Sequence, residues 1–144
     1  MKALAIFHPV LALAAWTFLV LAVIPFVRVR SARRREVSAD DFRFGESAAV
    51  PPYVRIPNRN YMNLLELPVL FYVVCVVLYV TAGASTFAVA LAWAYVALRI
   101  VHSAIHLSYN RVVHRLAVFA LSNAVLGMLW LVAAAHIAAG SALL

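Results

Sequence analysis

Four stretches of the chain stay apolar for about 20 residues or more, the length an α-helix needs to cross the hydrocarbon core of a bilayer, and polar positions cluster between them. The first runs from Ala3 to Val27, broken only by His8 and Thr17, and stops against "RVRSARRR". The others run from Asn60 to Thr81, Phe87 to Leu107 and Val112 to Ala139. In "AGAST" a glycine ends the second span and Ser85 or Thr86 caps the third, while "SYNR" separates the third from the fourth. Residues 31–58 carry mixed charge and then "AVPPYVRIPN", whose prolines disfavour a continuous helix, so this segment is expected to be a loop. The pattern predicts an all-α membrane protein, a four-helix transmembrane bundle that takes up residues 1–144 as a single domain.

Composition agrees, with 67% hydrophobic residues, 12% charged residues and a mean hydropathy of +0.97. A cleavable signal peptide would have an apolar region of about 7 to 15 residues, shorter than the first run. The formal charge of +7 does not point to nucleic acid, because the arginines lie in loops beside hydrophobic spans. They are topology signals. The first loop and the Arg111/Arg115 region hold nearly all of them, so both are expected on the cytoplasmic side of a bacterial inner membrane or an intracellular membrane. Both termini then lie on the far side, where the single Lys2 is outvoted. The lone cysteine, Cys75, falls in mid-span and reads as a small buried hydrophobe.

The candidate chemistry lies in two polar stripes. In "RNYMNLLELP" Arg59, Asn63 and Glu66 recur at four and three residues, which places them on one helical face. In "LRIVHSAIHLSYN" Arg99, His102 and His106 do the same at three and four. The second span enters where the third returns, so Glu66 and Arg99 each fall about 10 to 15 Å in from the cytoplasmic helix ends. An arginine at that depth faces a partner or a wet cavity. One reading is that Glu66 and Arg99 neutralise each other as structural glue. Six polar residues on two stripes favour a pocket for a small anionic, amide-rich ligand instead. Pro68, just beyond Glu66, is expected to kink the helix.

These residues resemble a known family, the membrane-associated proteins in eicosanoid and glutathione metabolism. Its second helix opens with arginine, three residues, asparagine, two residues and glutamate, a pattern matched here by Arg59, Asn63 and Glu66. "SARRR" at the end of the first span, "LRIVHSAIH" in the third and Arg115 at the start of the fourth extend the resemblance over most of the chain. The resemblance implies a homotrimer in which glutathione, as co-substrate, lies between neighbouring subunits near the cytoplasmic side. Chemistry is compatible: Arg59 and Arg99 suit the two carboxylates of glutathione, Glu66 its amine and Asn63 its peptide, with His102 and His106 lining the pocket. A cation beside the sulfur favours the nucleophilic thiolate. The resemblance offers Arg34 or a neighbour, or Arg115 from the adjoining subunit, as that catalytic arginine.

Some eicosanoid-synthesising members carry tyrosines where this chain has Leu67, His102 and His106. That difference favours a glutathione S-transferase or peroxidase acting on lipophilic electrophiles over leukotriene or prostaglandin chemistry. Other classes stand beside this one. A structural or regulatory membrane protein would use the same bundle without catalysis. A small-molecule exporter would place its intramembrane acid in the first span, whereas Glu66 opens the second. No metal is expected, since His102 and His106 form an i, i+4 pair without further Cys or acid ligands.

Overall fold

The structure, a computed structural model, describes residues 3–141; Lys2 lies outside them. A 3-10 turn at Ala3–Ile6 leads into α1 (Phe7–Arg33), and a second at Ala39–Phe42 lies in the loop before α2 (Pro52–Leu65). Then follow α3 (Pro68–Val80), α4 (Thr86–Leu107) and α5 (Val112–Ser141). Helices α2 and α3 are two halves of one span, so four segments are long and apolar enough to cross a membrane. Among the described residues no strand forms; Arg43 and Gly45 make an isolated bridge.

Two boundaries differ from the sequence expectation. Helix α1 continues through Arg28, Arg30 and Arg33, because nothing in "RVRSARR" breaks a helix and cations suit its C-terminal end. It closes in a Schellman turn: Arg35 is left-handed at φ 59, and the Glu36 and Arg35 amides bond back to the Ser31 and Ala32 carbonyls. The second difference is that the second span starts eight residues early, at Pro52 rather than Asn60. Proline at the first helical position lacks only an N–H that would have no partner there, so "PP" starts this helix instead of preventing it. Pro57 is accommodated inside it. The early start puts about 20 Å of helix between Pro52 and Glu66, against the 10 to 15 Å expected from Asn60.

The core runs the length of the bundle. Leu13 and Val20 of α1 meet Phe71, Val74 and Leu78 of α3, Ala88, Ala92 and Val96 of α4, and Leu129 and Ala133 of α5. Phe71 stacks on Tyr95 with ring centroids 4.7 Å apart. Lipid tails are as apolar as these side chains, so close packing, rather than escape from water, holds the helices together, and alanines on α4 and α5 permit it. At the far end the left-handed turn residue after α3 is Ala82, not the expected glycine. Gly83 is needed for a different reason: a Cβ there would lie 2.5 Å from the His136 ring, whose Nε2 bonds the Thr81 carbonyl at 2.9 Å. Ser85 caps α4 through the Ala88 amide, as its sequence predicts.

The α1–α2 loop is tied down by its acids. Asp41 accepts from the Ser38 amide and the Ser38 and Ser47 hydroxyls, which hold its carboxyl below the ordinary value. Arg28 pairs with Glu46 at 3.2 Å and lies over the Phe42 ring. Glu36 joins the end of α1 to the start of α2, accepting hydrogen bonds from the Tyr53 and Ser31 hydroxyls. Those two bonds, Tyr53 first, hold the Glu36 carboxyl below its ordinary value, and the charges of Arg34 and Arg30 add to them. Because the folded value is the lower one, the contribution of Glu36 is complete above the ordinary carboxylate range and is lost as pH falls through the folded value. Limited proteolysis of the loop is therefore expected to accelerate on acidification from neutral to about pH 3. Glu36→Gln should raise cleavage at neutral pH and flatten that response.

Candidate functional site

Helix α4 carries the chemistry on its inward face. Its far half packs with Ala88, Ala92 and Val96; its near half turns Arg99, His102, Ser103 and His106 to the same side, all buried. The face is continuous because these positions recur at three and four residues. Opposite it, α2 turns Val54, Pro57, Asn60 and Leu64 inward. Asn60 Nδ2 donates to Ser103 Oγ at 2.5 Å, and both residues are fully buried. The α5 helix begins beside them after the left-handed Asn110, whose Oδ1 accepts from Arg115 Nη1 at 2.7 Å. The Arg115 carbonyl lies 3.1 Å from His102 Nδ1, tying the first turn of α5 to α4.

Between these three helices lies a cleft of about 210 Å³ lined by Asn63, His102, Val112, Arg115, Leu116 and Phe119. Arg99 lies beneath it, its guanidinium 5.6 Å from the Phe119 ring centroid. His106 lies beside His102, ring centroids 6.2 Å apart, within electrostatic reach of Arg115 and Arg59. Several of these groups keep hydrogen-bonding capacity that the chain does not use: Arg99 Nε and Nη1, His102 Nε2, His106 Nδ1 and Asn60 Oδ1. The arrangement suits an anion with amide character, bound where the N–H groups at the start of α5 add positive potential.

A family model described as the MAPEG family matches residues 6–135, nearly the whole chain. The chain belongs to the MAPEG family. Comparison with curated proteins and with solved structures gives no significant match.

Within this MAPEG chain the eight residues singled out by sequence separate into groups. Asn63, His102 and Arg115 line the cleft, and Arg99 and His106 are buried next to it. Arg59 and Glu66 are exposed, Arg59 on the outer flank of α2 and Glu66 just past its end, with their charges within electrostatic reach of His106 and Arg99 respectively. Glu66 and Arg99 form no ion pair; among the described residues the ion pair is Arg28–Glu46. Arg34 caps the end of α1 and lines a separate cleft of about 600 Å³ with Pro25, Phe26, Val29, Arg30 and Arg33. The two clefts share no residue. Sequence reading missed Asn60, Ser103 and Phe119. The spacing signal existed, since Ser103 follows Arg99 and Phe119 follows Arg115 by one helical turn each, but serine and phenylalanine in a membrane helix attract no notice. Among the described residues no three His, Cys, Asp or Glu side chains come together as a metal site would require.

Proposed function

We propose that this MAPEG protein binds glutathione in the cleft between α2, α4 and α5 and uses its thiolate on lipophilic electrophiles, as a glutathione S-transferase or peroxidase. The observation that carries the reading is the convergence of Asn63, His102 and Arg115 at the start of α5, in a chain whose family includes glutathione-dependent enzymes. In the transferase reaction the thiol loses its proton and the sulfur forms a bond to an electrophilic carbon as the leaving group departs with its electron pair. In the peroxidase reaction the thiolate attacks a peroxide oxygen, releasing the alcohol; a second glutathione then forms the disulfide and water leaves.

The basic loop and the Arg115 turn face the cytoplasm in this reading, so glutathione enters from water and the electrophile from lipid. Reporter fusions within residues 31–58 check the orientation: a loop on the opposite side contradicts it. A homotrimer is proposed too, because an adjoining copy could bring the Arg34 cleft to the Arg115 cleft, which one chain keeps apart. The test titrates purified protein with glutathione while following ultraviolet thiolate absorbance, alongside the mass of the detergent-solubilised assembly. Saturable binding with a thiolate signal at neutral pH is expected. Binding without thiolate would leave a binding or structural role, and no binding would withdraw the glutathione reading.

A further inference from the structure

The junction of α2 and α3 interrupts the hydrogen-bond ladder of a membrane span. In a continuous helix the Asn63 carbonyl would receive the Leu67 N–H. Here Glu66, at φ −82 and ψ −97, turns the chain aside, and Pro68 has no N–H to offer Leu64. The carbonyls at such an end also carry the negative pole of the helix dipole. Unpaired carbonyls at membrane depth are costly, because no water in the hydrocarbon region can satisfy them. Arg99 reaches this end from α4. Its side chain is fully buried, and Nη2 donates to the Asn63 carbonyl. The guanidinium lies over the Phe119 ring, and among the described residues no carboxylate forms a salt bridge with it, although the Glu66 charge is within electrostatic reach.

We infer that Arg99 is the C-terminal cap of α2, a positioning residue that holds the broken helix end against α4 and so sets Asn63 at the mouth of the cleft. This differs from the carboxylate contact that residue type and spacing suggest for it. A lysine would supply charge and three donors on a compact ammonium, but only a planar guanidinium can lie over Phe119 while one of its N–H groups meets the carbonyl. The capping role stands without a ligand; its consequence for glutathione rests on the function proposed above.

The test has two arms. In detergent unfolding, Arg99→Met is expected to lower the folding equilibrium about 10- to 100-fold, the effect of orphaning a buried acceptor. Arg99→Lys should lose less, and it serves as the working variant if Arg99→Met does not fold. In a Pro68→Ala background the ladder can run on and deliver the Leu67 N–H to Asn63, so the same Arg99 substitution should have a smaller effect. Equal effects in both backgrounds overturn the cap. The second arm compares glutathione with esters blocked at either carboxylate. A cap leaves the affinity ratio of glutathione to each ester unchanged in the variant while both ligands bind more weakly. A ratio that collapses towards one would place Arg99 on that carboxylate and overturn the inference. If wild type binds no glutathione, the proposed function fails while the unfolding arm still decides the cap.

Discussion

Arg115→Ala is expected to lower glutathione turnover roughly 100-fold, the scale on which enzymes lose rate when one preorganised donor to a developing charge is removed. Arg115 lies in the first turn of α5, where no acidic residue opposes the positive helix end, and its side chain lines the cleft. Asn110 and the carbonyl contact to His102 hold that turn in place. A thiol of ordinary pKa, about 8.5, is mostly protonated at neutral pH, so a fixed cation beside it increases the reactive fraction. Arginine keeps its charge even when partly desolvated. The decisive comparison is thiolate absorbance with glutathione bound, in wild type, Arg115→Ala, Arg34→Ala and Arg59→Ala. Binding retained with thiolate lost marks the activating arginine; binding lost marks a carboxylate contact, the outcome expected for Arg59. Full thiolate in Arg115→Ala would shift the role to Arg34, which one chain places in a different cleft.

The spans were legible because the bilayer sets a length that few apolar runs meet by chance. Helix ends were less so. The run "RVRSARR" reads as loop by charge, yet arginines at a helix C-terminus favour continuation. "PP" reads as a breaker, yet at the first turn it is a starter. The stripes were half legible. Spacing gave the shared face of Arg99, His102 and His106, and the structure turns that face inward. The same rule put Arg59, Asn63 and Glu66 on one face but carried no sign of direction: α2 packs through the neighbouring register of Pro57, Asn60 and Leu64. A polar stripe on a membrane helix need not face the chain's own pocket. In α2 the residue most deeply buried among the polar ones is Asn60, which differs from the stripe by one position.

Asn60→Ala is expected to destabilise the protein by about 2 kcal/mol, the cost of leaving a buried hydroxyl without its partner. Asn60 and Ser103 are both fully buried and bonded to each other across α2 and α4, forty-three residues apart in sequence. Ser103→Ala should cost a similar amount, leaving the Asn60 amide unpaired at a depth where water does not compete. The double variant removes donor and acceptor together, so its cost should fall short of the sum by about 1 kcal/mol, within the range seen for polar contacts between membrane helices. Strict additivity in detergent unfolding would mean that the two side chains do not meet. The functional consequence follows from position. Asn60 sits one turn before Asn63 on the helix that forms one wall of the cleft, so releasing α2 from α4 moves that wall while Arg115 stays on α5. Glutathione affinity should therefore weaken in Asn60→Ala with the thiolate fraction of the bound ligand unchanged. A lowered thiolate fraction in this variant would instead tie the activating cation to the α2 wall and contradict its assignment to α5.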